Sequence, residues 1–250
     1  MADLFLRVVE LKPDRDGPPR SGYPWTLPAI APLGAGLALH PSVTYLIGEN
    51  GSGKSTLLEA IAVAAGMNPE GGSSSFAFAT RTSHSSLSGA IRLVRGGRRP
   101  RTDFFLRAES LFNAATYLEG LKDDSGLGGD PLAAYGGRSL HEQSHGESFL
   151  AVMINRFGAD GLYLLDEPEA ALSTQNCFTA LRRIHELVQD GSQLIIATHS
   201  PIILAYPEST IYHCGEHGLE EIEYEDADPV RLTQSFLEAR DRFLAELLRD

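Results

Sequence analysis

Residues 48–55 read GENGSGKS, between the apolar run YLI and the helix-like pattern LLEAIAVAA. This stretch fits G-x-x-x-x-G-K-[ST] at every fixed position, and it lies where such a loop has to lie, after a strand and before a helix. Backbone N–H groups can close around phosphate oxygens only if side chains are out of the way, which accounts for Gly48, Gly51 and Gly53. The start of the following helix adds partial positive charge. Asn50, Gly51, Ser52, Gly53, Lys54, Ser55 and Thr56 are therefore the candidate nucleotide-binding residues. Lys54 is placed to reach the β- and γ-phosphates, Ser55 to offer a hydroxyl to Mg²⁺, and Thr56 to hydrogen-bond a more distal phosphate.

Two further strand ends carry chemistry. LYLLDEPE, residues 162–169, ends an apolar run in adjacent acids. In a phosphate-loop protein, a second strand ends beside the first at such a point. Asp166 then faces the Mg²⁺ shell, and Glu167 is placed to polarise the attacking water. IIATHS, residues 195–200, ends a third strand in polar groups, with His199 at its tip as a second catalytic candidate.

The elements around these motifs alternate. Strand patterns at residues 4–11 and 37–48 precede the loop, with an irregular Pro- and Gly-rich segment at 12–33 between them. After residue 144 a helix, a strand, a helix and a strand follow in turn. That order predicts an α/β fold, a mostly parallel sheet flanked by helices. Residues 70–140 differ in texture, with a Ser-rich stretch, two apolar-alternating runs around Gly96–Gly97 that suggest a hairpin, a helix near 111–121 and a Gly-rich loop. They are expected to form a smaller helical and hairpin lobe inserted into a single domain spanning 1–250. Residues 229–250 space their apolar side chains as one docked amphipathic helix.

Bulk properties narrow the setting. The 250 residues suit one large domain, and 42% apolar with 22% charged is ordinary globular composition. The net charge of −12 argues against wholesale wrapping of nucleic acid, although not against a local basic patch. Cys177 and Cys214 have no metal-like spacing and read as reduced thiols. A charge within the first three residues and the lack of a long apolar core argue against a signal peptide. No apolar run approaches the roughly 18 residues that a bilayer span needs. The expected location is cytoplasmic.

The order of the three motifs resembles the ABC-type ATPase superfamily of P-loop NTPases. That superfamily covers transporter nucleotide-binding subunits and soluble relatives in DNA repair, chromosome structure and phage defence. The resemblance spans roughly residues 37–200 and looks most like a small stand-alone "predicted ATPase" or AAA-family ATPase branch. It implies Mg-dependent ATP binding and hydrolysis, with ATP and Mg²⁺ as cofactors. The signature loop of that family usually reads Leu-Ser-Gly-Gly-Gln; here QSHGE, residues 143–147, stands about 90 residues past Lys54, with Ser144 and Gly146 matching. By resemblance, Ser144 and Gly146 face the γ-phosphate bound by a second copy, so that two chains close head-to-tail around two ATPs. Ser144 and Glu147 also read as a helix capping box, and the two roles coexist. EAALSTQ, residues 169–175, resembles the loop that crosses the interface.

One departure stands out. The family carries a glutamine between the phosphate loop and the signature, and this chain has none before Gln143. Arg107 falls near the expected position with Glu109 close by. Arg107 acting through phosphate, or Glu109 acting through a metal-bound water, are the two substitutes. The adenine-stacking aromatic of the family is Tyr23 or Trp25.

What the ATPase acts on is open between classes. A soluble complex in nucleic-acid maintenance or defence is the first. IRLVRGGRRPR, residues 91–101, puts Arg92, Arg95, Arg98, Arg99 and Arg101 on the expected hairpin as a patch for a phosphate backbone; the same charges also suit a solvated edge that discourages strand pairing. The second class is the ATP-binding subunit of an ABC membrane transporter, gripping a membrane-protein partner. The absent glutamine and the EPEAALS wording count against it. A third is an ATP-regulated scaffold with little turnover.

Overall fold

The computed structural model describes residues 4–13, 20–69, 71–74, 86–108 and 144–249. Its described strands form two sheets. The larger runs β5 (Thr102–Arg107), β6 (Gly161–Asp166), β7 (Gln193–Ala197), β3 (Val43–Ile47), β8 (Ser209–Gly215), β9 (Gly218–Ile222). Its first five strands are parallel, and β9 turns back antiparallel on β8. The smaller is antiparallel, with β1 (Leu6–Leu11) between β2 (Leu37–Ala38) and β4 (Ile91–Arg95). The described α-helices are α1 (Lys54–Ala65), α2 (Leu87–Ala90), α3 (His145–Asn155), α4 (Thr174–Gln189), α5 (Pro201–Leu204), α6 (Asp228–Glu238) and α7 (Arg240–Leu247). The fold is thus α/β with a mostly parallel central sheet.

Both faces of the three inner strands, β6, β7 and β3, are covered, and so they read as nearly continuous apolar runs rather than as alternating ones. Tyr45, Tyr163, Leu165 and Ile196 point into a core shared with Phe149 and Val152 of α3 and Ile184 and Leu187 of α4. Leu46, Leu164 and Ile195 point the other way, onto Leu57, Leu58 and Ile61 of α1 and onto Leu6 and Val9 of β1. Truncating one such fully buried leucine to alanine costs about 2–5 kcal/mol, so α1 is held firmly under the phosphate loop. Buried Gln193 joins the two sheets, since its amide donates to Leu6 O and His40 O and its Oε1 accepts from Leu6 N.

Several sequence expectations are corrected. The run at 37–48 is not one strand, because the chain changes sheets at His40–Ser42, where His40 N donates to Thr44 Oγ1. Residues 91–107 form two strands that do not pair with each other. β4 joins β1, while β5 joins β6, so no hairpin turns at Gly96–Gly97. Gly96 instead packs on the backbone of Leu4, where a Cβ has no room. The described strands of the supposed lobe therefore belong to the two main sheets; the helix expected near 111–121 lies outside the described residues. The tail is two helices, broken at Ala239 (φ −137°, ψ 44°) and pinned by buried Val230. Leu232, Leu237, Leu247 and Leu248 remain exposed. No described helix is long and apolar enough to cross a membrane.

Candidate functional site

The phosphate loop is built by backbone conformations that side chains would spoil. Gly48, Gly51 and Gly53 have φ of 140°, 82° and 95°. A Cβ on Gly48 would lie 2.5 Å from Cys214 O, and one on Gly53 2.9 Å from Leu27 Cβ, whereas one on Gly51 meets nothing within 4 Å. Gly48→Ala is therefore expected to destabilise the fold by about 2–4 kcal/mol. Gly51→Ala should cost only about 1 kcal/mol, for its left-handed φ alone. Denaturant unfolding without nucleotide checks the ordering, and equal costs at the two positions would contradict it.

Asn50, Gly51, Gly53, Lys54, Ser55, Thr56 and Glu167 line one cleft of about 400 Å³, with Tyr23 and Leu27 at its edge. Lys54 is 4% exposed, and its Nζ donates to Gly48 O at 2.8 Å and Glu49 O at 2.9 Å. Burial lowers its pKa, opposed by the negative charge of nearby Glu167 and Asp166. Ser52 does not line the cleft; its side chain is buried and its carbonyl accepts from Ala29 N. That bond lays residues 23–30 along the loop and brings Tyr23 to the cleft mouth. Trp25 packs inward, with Arg20 over its ring. The structure thus favours Tyr23 over Trp25 as the aromatic beside the cleft.

Asp166 ends β6 one strand away from β7 and two from β3. Ser55 Oγ donates to Asp166 Oδ1 at 2.8 Å. Ser55 on the cleft wall and buried Asp166 behind it are two hard oxygen donors that fit Mg²⁺, which takes one or two carboxylates and completes its shell with phosphates and water. Among the described residues no cluster of three or more His, Cys, Asp or Glu forms a closed cage, and a nucleotide-bound Mg²⁺ does not need one.

Glu167 adopts φ 48°, ψ 57°, a left-handed conformation that costs a non-glycine residue about 1–3 kcal/mol. Its N–H donates to Ala197 O, which pins the turn to β7 and leaves the carboxylate on the cleft wall. His199 Nε2 lies 3.7 Å from Glu167 Oε1. His199 does not line the phosphate cleft itself; it faces a neighbouring cleft of about 380 Å³ with Gly48, Glu49, His213 and Asp228. It therefore reaches the site through Glu167.

Two carboxylates that sequence reasoning passed over support this turn. Glu169 accepts from Thr198 Oγ1 at 2.8 Å and from the His199 backbone N–H, which ties the Asp-Glu turn to the tip of β7. Glu59, one helical turn beyond Ser55 on α1, accepts from Arg107 Nη1 at 2.9 Å. The signal for Glu59 was its i+4 spacing from Ser55. Arg107 itself is paired with carboxylates, Glu59 and Asp166. Glu109 lies outside the described residues.

Ser144 and Gly146 are not among the residues lining the cleft of their own chain. Ser144 caps α3, accepting from Glu147 N, while Glu147 Oε2 accepts from Ser144 N at 2.9 Å, so the expected capping box is present. Gly146 is packed so closely on the 169–175 loop that a Cβ would lie 2.8 Å from Ala171 O. All five arginines of 91–101 stay exposed, and three of them have a carboxylate neighbour. Arg92 pairs with Glu10, Arg98 pairs with Asp160 and lies over Phe5, and Arg101 stands 3.9 Å from Asp160. Cys177 and Cys214 are free and buried, and burial pushes the Cys214 thiol up to about 12.

A strand, a glycine loop with a buried lysine, and acids at the end of a second parallel strand define a class, the P-loop ATPase. Residues 43–128 match the family model AAA_21, described as "AAA domain, putative AbiEii toxin, Type IV TA system". Among solved structures, the chain is similar to cbiO1 from Clostridium perfringens, part of the ABC transporter complex cbiONQ, at 18% identity, TM-score 0.50, with 98% of this chain and 99% of that one covered. It is also similar to the SMC head domain from Thermotoga maritima, at 15% identity, TM-score 0.44, covering 88% and 100%. No curated protein matches the sequence. The chain carries a P-loop ATPase domain.

Proposed function

We propose that this ATPase is an Mg²⁺-dependent switch that closes head-to-tail on a second copy of itself around two ATPs, within a soluble cytoplasmic complex of nucleic-acid maintenance or defence. The observation that carries the reading is the division of the site. The phosphate-loop groups and Glu167 share one cleft, whereas Ser144 and Gly146 stand apart from it on a helix start braced by the 169–175 loop. A second chain related by a two-fold axis would bring its Ser144 hydroxyl and helix N-terminus to the open side.

In the reaction, backbone N–H groups of residues 51–55 and the Lys54 ammonium hold the β- and γ-phosphates. Glu167 accepts a proton from water as the water oxygen attacks the γ-phosphorus and the bond to the bridging oxygen breaks, leaving ADP and phosphate. His199, whose Nε2 stands 3.7 Å from Glu167 Oε1, would come within hydrogen-bond distance of that carboxylate and orient it when the site closes on ATP. Mg²⁺, held by Ser55 and Asp166, would supply neutralisation of phosphate charge. Loss of the shared γ-phosphate then releases the pair, because closure rests on contacts present only in the triphosphate state.

Light scattering tests the pairing. Mg-ATP should move the mass from 27.0 kDa to twice that value, and ADP should reverse it; one mass under all conditions contradicts it. The description of the matched family, which names a toxin of a toxin–antitoxin system, supports the defence setting. Phosphate release with and without duplex DNA across a salt series tests the nucleic-acid role, with several-fold stimulation expected at low salt and lost at high salt. No stimulation, together with co-purification with a detergent-solubilised integral protein, would favour the transporter reading instead.

A further inference from the structure

Arg107 is the last residue of β5 and stands in parallel register beside Asp166 of β6. Its Nε lies 3.2 Å from Asp166 Oδ2, and its Nη1 donates to Glu59 Oε2 at 2.9 Å. Ser55 holds the other oxygen of Asp166. Ser55 and Glu59 are four apart on α1 and so share a face. One guanidinium thereby closes a ring from α1 through Asp166 and back to α1. The Arg107 side chain is 21% exposed and lies over the Phe105 ring, 5.7 Å from its centroid. A planar fork that joins two carboxylates in fixed directions is a task for arginine and not for lysine.

We infer that Arg107 is a positioning residue that fixes the Asp166 carboxylate and weakens its hold on a divalent cation. The inference rests on the reading of Ser55 and Asp166 as the Mg²⁺ ligands. The guanidinium keeps its charge at every accessible pH. A dication at the Ser55 side of Asp166 therefore meets a carboxylate already half neutralised from the far side. The metal is held weakly without nucleotide, and the phosphates of bound ATP become the dominant source of its affinity. Glu59 keeps the guanidinium on the far side of Asp166, away from the phosphates.

The test uses Mn²⁺ as the probe, titrated by electron paramagnetic resonance into the full chain with saturating ADP. Arg107→Gln is expected to tighten Mn²⁺ binding at least about tenfold, since one unit charge a few ångströms from a dication gives that factor even at the dielectric of water and more at the protein surface. ADP affinity measured without metal should stay within about twofold of the parent. Arg107→Lys keeps the charge and should restore weak Mn²⁺ binding. Thermal unfolding of the variants without metal reports whether they are folded, and Arg107→Met, which also removes the charge and should tighten Mn²⁺ binding alike, carries the comparison if Arg107→Gln is not. Mn²⁺ affinity that is unchanged or lower in Arg107→Gln overturns the inference while leaving the metal site standing. A loss of ADP affinity without metal overturns it in favour of a direct phosphate contact. Mn²⁺ that binds neither the parent nor the variant overturns the metal site, and this role with it.

Discussion

Glu167→Gln is expected to bind ATP with parent affinity, to turn it over about 10²–10⁴-fold more slowly, and to accumulate as a dimer in Mg-ATP. The turn that places residue 167 is made by the backbone: the left-handed conformation, the N–H bond to Ala197 O and the following Pro168. None of these depends on the carboxylate, so an amide of the same shape leaves the cleft intact. Lys54, Ser55 and Asp166 keep their own bonds, so ATP and the metal are still held. Only the acceptor for the proton of water is lost. Binding by gel filtration with labelled ATP and turnover by phosphate release separate the two effects. A variant that hydrolyses ATP normally would remove Glu167 as the base.

Lys54→Ala is expected to lower ATP affinity at least about 100-fold. Two charge-assisted hydrogen bonds to phosphate at about 1.5–3 kcal/mol each exceed the roughly 2.7 kcal/mol that this factor requires. Removal has a second cost, because the buried ammonium satisfies the carbonyls of Gly48 and Glu49. Leaving two loop carbonyls without that donor costs about 1–3 kcal/mol of stability. Calorimetric ATP titration and denaturant unfolding on the same sample tell the two apart. Lost stability with unchanged affinity would reduce Lys54 to a loop brace.

How far the sequence discloses this architecture depends on how local each signal is. The phosphate loop is legible because three positive-φ glycines, a lysine and a hydroxyl must stand at fixed spacing, and no other element wants them together. The runs before Asp166 and His199 are legible because strands buried on both faces are apolar at every position. The β8–β9 hairpin at 209–222 carries no such run; half of its residues are only partly buried, and so the sequence reading assigns it no element. The pairing of β4 with β1 joins residues some 80 apart, and adjacency in sequence suggests the wrong partner, β5. The pairing of Arg92 and Arg98 is not legible, because their carboxylates, Glu10 and Asp160, come from distant segments. The same holds for Arg107, whose partners on α1 and β6 only the sheet order brings to it.

The most direct test of the whole account is phosphate release from Mg-ATP by the unmutated chain, run beside Lys54→Ala, Glu167→Gln and an EDTA control. The account predicts steady turnover that all three abolish, with ATP still bound by Glu167→Gln alone among the two variants. Turnover that survives in Lys54→Ala and Glu167→Gln, or millimolar ATP that neither binds nor is hydrolysed, would contradict it.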